Sequence, residues 1–195
     1  MHKDIINYSK FKKNKKEENF SILILGGSQG AEIFGKVVPS VIKMIKKEGY
    51  DIEVNQQCVK GQKESIIEYY RKNDIKNNVF EFDNNILKLI LSSDLAITRC
   101  GASSTAELAC TLTPFIAVPL PNSVDNHQYL NAKYYEERGC CWILEQKNFD
   151  IKNLFNLIIE TLKNKNKLEF IRENMKKSYS NNVYSVIEKE IKEFI

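Results

Sequence analysis

"ILILGGSQGAE", residues 22–32, decides how this chain is read. Four aliphatic residues run straight into Gly26, Gly27, Ser28, Gln29, Gly30 and Ala31. A short run that is apolar on both faces suits a buried strand of a parallel sheet. The glycines let the backbone turn sharply and let another group approach it closely. Beyond Ala31 the apolar residues Ile33, Phe34, Val37, Val38, Val41, Ile42 and Ile45 recur near the helical period. The stretch is therefore strand, turn, helix. Two readings of the turn stay open: a tight connection with Ser28 capping the helix, or a cradle in which helix N–H groups meet a phosphate. No Gly-Lys-Ser/Thr follows, so it is not a P-loop, and the glycine spacing is not GxGxxG.

The same unit repeats downstream. Strands are expected at Ser21–Leu25, Asp51–Gln57, Val79–Phe82, Leu95–Thr98, Phe115–Val118 and Cys141–Leu144. Helices are expected between them at Ala31–Lys47, Gln62–Lys72, Ile86–Leu91, Ser104–Leu112 and Gln128–Arg138. Gly49 and Gly139 stand where helices stop. This β-α rhythm predicts an α/β fold, a doubly wound, Rossmann-like parallel sheet of about six strands. Further helices are expected at Ile151–Lys163, Leu168–Ser178 and Val183–Phe194. The expected organisation is a polar lead-in over residues 1–19, the Rossmann-like domain over 20–163, and C-terminal helices over 164–195.

Composition excludes several classes. The 195 residues are 43% hydrophobic and 28% charged, which is ordinary for a globular chain. The net charge is +4 and the pI about 8.7, with Lys-rich runs "SKFKKNKKEE" and "LKNKNKLEF". Those runs lack interleaved aromatics, so no nucleic-acid surface is expected. No apolar run reaches the roughly 20 residues of a membrane span, and no signal-peptide core is present. The five cysteines, Cys58, Cys100, Cys110, Cys140 and Cys141, show no CxxC spacing. They suit reduced thiols in a cytoplasmic protein. With only His2 and His127 as histidines, no metal site is expected.

Ligands of open parallel sheets bind at the carboxyl ends of the strands, so the loops after the strands carry the candidates. "TRCGASSTAELA", residues 98–109, places small and hydroxyl residues at a helix start, as a diphosphate would need. Ser104 and Glu107 have the spacing of a capping box; with Ser103 as cap instead, Glu107 is free for a ligand hydroxyl. "VPLPNSVDNHQYLNA", residues 118–132, gathers Asp125, Asn126, His127, Gln128 and Asn131 at another helix start. They could bind sugar hydroxyls, or Asp125 could cap the helix. "FEFDNNI", residues 80–86, could meet a base through its backbone. Asp83 and Asp94 have no evident partner, and no catalytic base stands out.

Taken together, "GGSQGA" (26–31), "FEF" before "DNNI" (80–86), "TRCGASSTAELA" (98–109) and "PLPNSVDNHQYLNA" (119–132) resemble the MurG family of glycosyltransferase family 28. The resemblance covers roughly residues 20–195 and implies the donor-binding half of a GT-B glycosyltransferase. It implies a hexosyltransferase that moves GlcNAc from UDP-GlcNAc to lipid I in peptidoglycan synthesis, at the inner face of the plasma membrane. Gly27, Ser28 and Gly30 would face the donor diphosphate, with Ser103 and Ser104 helping to hold it. The backbone at Asp83 would meet the uracil, although the family usually carries an apolar residue there. Glu107 would bind ribose. His127, Gln128 and, less directly, Asn131 would reach the GlcNAc hydroxyls. No metal or other cofactor is implied. The catalytic residues and the lipid I site are expected in an N-terminal domain that this sequence lacks, so transfer by this chain alone is not expected. The alternatives are an Alg13-like subunit working with a separate membrane acceptor subunit, a non-catalytic UDP-sugar-binding module, or a UDP-GlcNAc 2-epimerase of the same fold.

Overall fold

The computed structural model describes residues 19–27 and 31–180. The expected helix at Val183–Phe194, together with Ser28 and Gly30, lies outside the described residues. Six strands form one sheet: β1 (Phe20–Leu25), β2 (Ile52–Gln57), β3 (Lys76–Phe80), β4 (Leu95–Thr98), β5 (Phe115–Ala117) and β6 (Cys141–Ile143). Their order is β3-β2-β1-β4-β5-β6 and every pairing is parallel. The helices are α1 (Glu32–Lys47), α2 (Lys63–Lys72), α3 (Ile86–Ser92), α4 (Ala102–Cys110), α5 (His127–Glu136), α6 (Ile151–Lys163) and α7 (Lys165–Ser180).

Strand alternation assigns the two cores. Ile22 and Ile24 of β1 join Ile97 of β4 beneath α1 and α6, with Phe34, Val38, Ile42, Leu154 and Ile158 wholly buried. Leu23 and Leu25 face the other side, with Ala96, Leu108, Phe115 and Ala132. Helix α7 adds Ile171 and Met175 to this second core. Each wholly buried Leu or Ile side chain contributes about 1.5–3 kcal/mol relative to exposure.

The strand order reverses direction between β1 and β4. In register, Leu25 lies beside Thr98, and the Arg99 N–H donates to the Leu25 carbonyl at 3.1 Å. The loops after β1 and β4 therefore leave the sheet side by side, at the point where an open α/β sheet splits to admit a ligand. Asp94, without an evident partner in the sequence, accepts the Ser21 N–H at 2.8 Å and so pins the start of β1 beside β4.

Candidate nucleotide-sugar site at the sheet switch point

Three helix starts gather at this edge, and none carries its own side-chain cap. Helix α1 begins after Ala31, in extended conformation. Ala31 therefore holds the N-cap position, while Ser28 lies outside the described residues. Helix α4 begins after Gly101, earlier than the Ser-x-x-Glu spacing suggested. Its first backbone bond runs from the Thr105 N–H to the Gly101 carbonyl at 3.1 Å. The N–H groups of Ala102, Ser103 and Ser104 thus lie in the turn that has no intrahelical acceptor. The capping-box reading of Ser104 and Glu107 fails, because both residues are inside the helix. A cap at Ser103 fails for the same reason. By contrast, Asp150 caps α6, its Oδ1 accepting the Asn153 N–H at 2.8 Å.

Glu107 is half-buried on α4. Burial raises its carboxyl above the ordinary value, and among the described residues no neighbouring cation offsets that cost. A carboxylate that is partly desolvated and not held in an ion pair is available to accept from a ligand hydroxyl.

The loop after β5 is built to stay in place. Asp125 and Asn126 both adopt left-handed backbone conformations, at φ 48° and 54°. They lead directly into α5, whose N-cap Asn126 makes no side-chain cap bond. The expected Asp125 cap is therefore absent: Asn126 holds the N-cap position, and the Gln128 N–H donates to Ser123 Oγ at 3.3 Å. The exposed His127 donates from Nδ1 to the Val124 carbonyl at 2.7 Å. A carbonyl only accepts, so Nδ1 holds the proton and Nε2 of the neutral ring is an acceptor.

Gln128 and Asn131 reach back to the loop after β4. Gln128 Oε1 accepts the Cys100 N–H at 3.1 Å and the Leu120 N–H at 3.0 Å. Asn131 Nδ2 donates to the Cys100 carbonyl at 3.0 Å. Two of the expected sugar ligands thus clasp the backbone of Cys100, one residue before the N-cap of α4. Gln128 retains its Nε2 donor and Asn131 its Oδ1 acceptor for other partners.

Beside β1, Gly27 has φ 81°, a left-handed conformation that favours glycine. A Cβ there would lie 3.9 Å from Arg99 Cβ. The Asp83 side chain serves its own loop: Oδ1 accepts the Asn85 N–H at 2.6 Å.

Arg99 stands within "TRCGASSTAELA" but belongs to neither its small nor its hydroxyl residues. It is 8% exposed and lies under α1, its guanidinium 5.1 Å from the Phe34 ring. It donates to the carbonyls of Val118 and Pro119, at 3.1 and 3.2 Å, and to Gln146 Oε1. Its Nε has no partner among the described residues, and burial draws its pKa below the usual arginine range. Arginine at the end of the apolar run "LAIT" was the available signal: a buried cation needs acceptors, and strand-end carbonyls supply them.

Residues 21–190 match the family described as glycosyltransferase family 28 C-terminal domain. This chain belongs to that family. A UDP-N-acetylglucosamine–N-acetylmuramyl-(pentapeptide) pyrophosphoryl-undecaprenol N-acetylglucosamine transferase of Pelagibacter ubique is 38% identical over 184 residues, covering 94% of this chain and 51% of the relative. The enzyme of the same name from Rickettsia prowazekii is 37% identical, covering 80% of this chain and 41% of the relative. The crystal structure of Acinetobacter baumannii MurG superposes with a TM-score of 0.78 at 26% identity, over 95% of this chain and 55% of that one. The chain spans about half the length of these relatives or less. Membership of glycosyltransferase family 28 and a MurG-like Rossmann fold are thus established.

Proposed function

We propose that this chain is the UDP-GlcNAc-binding half of an inverting N-acetylglucosaminyltransferase that converts lipid I to lipid II in peptidoglycan synthesis. One observation carries the reading: two helix starts without a side-chain cap, α1 and α4, follow neighbouring strands at the β1–β4 switch point, and Gln128 and Asn131 brace the start of α5 against Cys100, just before α4. Unsatisfied N–H groups and the helix dipoles favour an anion there. The donor diphosphate sits against Gly27, Ser28 and Gly30 and the Ser103–Ser104 turn. Glu107 accepts from ribose hydroxyls. His127 Nε2, Gln128 Nε2 and Asn131 Oδ1 are left to meet the GlcNAc, and the backbone near Asp83 meets the uracil.

In the reaction, the C4 hydroxyl oxygen of the lipid-linked MurNAc forms a bond to the anomeric carbon. The bond from that carbon to the diphosphate oxygen breaks, UDP leaves, and configuration inverts. The hydroxyl proton passes to a base that lies, with the acceptor site, outside residues 19–180. Charge on the leaving diphosphate develops beside the two helix starts, whose fixed dipoles need no reorganisation. No metal is called for, and among the described residues no three His, Cys, Asp or Glu side chains gather to hold one. Among them, too, no helix is long and apolar enough to cross a membrane. The whole enzyme would work on the cytoplasmic face, docked peripherally where its lipid-linked acceptor lies. Residues 19–180 bind donor but transfer little alone.

Calorimetric titration with UDP-GlcNAc, UDP and UDP-GalNAc tests this. Binding of UDP-GlcNAc and UDP, with UDP-GalNAc weaker, is expected; no heat with any of the three up to about 1 mM, a binding energy near 4 kcal/mol, ends the donor reading.

A further inference from the structure

Gln57 ends β2, which lies between β1 and β3 in the sheet. Its side-chain amide is engaged at both atoms. Oε1 accepts the Gly26 N–H at 3.0 Å, and Nε2 donates to the Glu81 carbonyl at 3.1 Å. Gly26 is the first residue after β1 and Glu81 the first after β3. One planar group therefore ties together the starts of two loops that flank the candidate site. Its neighbour Gln56 points to the opposite face, where the buried Tyr70 hydroxyl donates to its Oε1 at 2.5 Å. Strand alternation thus gives the adjacent glutamines separate tasks.

We propose that Gln57 is a positioning residue that holds Gly26, where the chain leaves β1 toward the phosphates, and Glu81, where it leaves β3 toward the base, at one fixed spacing. The proposal rests on the donor reading above. A nucleoside diphosphate carries its base and its phosphates at opposite ends of a ribose. It gains from both loops at once only when their separation matches that span; a poor match loses the advantage of joined fragments. A strut that fixes the spacing beforehand removes an ordering cost from binding. The chemistry also explains why the residue is glutamine. One end must accept from an N–H and the other must donate to a carbonyl. A carboxylate has only acceptors and would oppose the Glu81 carbonyl, and a methionine of similar length has neither function. The amide is neutral, so it sets the loop without repelling a diphosphate. The Gly26 N–H is already satisfied by Gln57 and so is not one of the groups left for phosphate.

The test uses the full chain and the variants Gln57→Met and Gln57→Glu, titrated separately with UDP, uridine and inorganic pyrophosphate. Thermal unfolding and the Gly26 amide resonance are followed alongside. For Gln57→Met, UDP affinity is expected to fall about ten-fold while uridine and pyrophosphate each change less than about three-fold, because the linkage between the subsites is what is lost. The Gly26 amide resonance moves as its acceptor is removed. Gln57→Glu keeps that acceptor, so the resonance stays near its original position while UDP weakens; this holds even if the methionine variant does not fold. Unchanged UDP affinity in either folded variant overturns the proposal, and so does a parallel loss for all three ligands, which marks a general structural role. If the unaltered chain binds UDP and these variants match it, only the Gln57 proposal fails. If the unaltered chain binds none of the three, the donor reading fails and takes this one with it.

Discussion

Gln128 Oε1 accepts the backbone N–H of Cys100 at 3.1 Å, although the two residues are 28 positions apart. The same oxygen accepts the Leu120 N–H at 3.0 Å. The loops after β4 and β5 are therefore joined through one side-chain oxygen. Gln128→Ala leaves two backbone donors without their partner. The expected loss is about 2 kcal/mol in urea unfolding, together with weaker UDP-GlcNAc binding. Gln128→Glu keeps an acceptor at this place and is expected to retain more stability, yet it lacks the Nε2 donor and still binds UDP-GlcNAc poorly. Equal stability of the alanine variant and the unaltered chain would contradict the brace.

Glu107 separates ligand binding from folding. Burial raises its carboxyl above the ordinary value of 4.5 in the folded chain. The folded state thus holds the proton more tightly than the unfolded state, and this residue's contribution to stability declines as pH rises through and above 4.5. Glu107→Gln removes the ionising group. At neutral pH the variant should be at least as stable as the unaltered chain, and the two should converge in acid, where both carry a neutral side chain. Its UDP-GlcNAc affinity should fall by about ten-fold, the effect of one lost hydrogen bond to a charged group. Denaturation across a pH series, paired with titration at neutral pH, checks both halves.

Arg99 should matter through geometry as much as charge. Its fork meets the Val118 and Pro119 carbonyls and Gln146. Arg99→Met leaves those acceptors unpaired, with an expected cost of about 1–3 kcal/mol, partly offset because a buried cation is removed. Arg99→Lys should not restore stability, since a single ammonium lacks the planar, multi-donor fork. Urea unfolding of both variants measures this; a fully stable lysine variant would show that charge alone suffices.

The thiols should be silent in the folded chain. All five cysteines are buried. Burial pushes the Cys100 thiol up to about 12 and the Cys110 thiol up to about 11, and raises those of Cys58, Cys140 and Cys141 as well. The thiolate is the reactive form. Iodoacetamide at neutral pH should label none of the five in native protein and all of them in denaturant, as counted by intact mass.

Much of the fold was legible because its signals are local. Apolar runs such as "ILIL" and "LAIT" mark strands on both faces, and the period in residues 31–47 marks α1. Strand ends moved by a few residues at most; β3 starts at Lys76 rather than Val79, because the polar "KNN" pairs with β2 at the sheet edge. The start of α4 moved two residues upstream for a different reason. Gly101 can itself precede a helix, so no serine was needed as a cap. The site was legible as a set of loops and not as a set of bonds. Gln128 and Asn131 were visible as polar groups at a helix start, but their engagement with Cys100 was not. Gln57 and Arg99 are marked in the sequence only as polar residues closing a strand, and that position does not say which acceptors or donors they meet.

By itself the sequence determined that strands and helices alternate, that glycine and small hydroxyl residues follow β1 and β4, and that a polar cluster opens α5. These features depend on backbone preference and on apolar spacing within about ten residues, which a linear reading samples directly. Only the tertiary structure decided that β1 and β4 are neighbours, that their loops leave the sheet together, and which polar atoms are spent on holding that edge. Gln57 with Gly26, Gln128 with Cys100 and Arg99 with Pro119 are separated by 31, 28 and 20 residues. Hydrogen bonds across such distances follow from strand order and register, and a donor's place in the chain does not reveal which acceptor the packed sheet will bring to it.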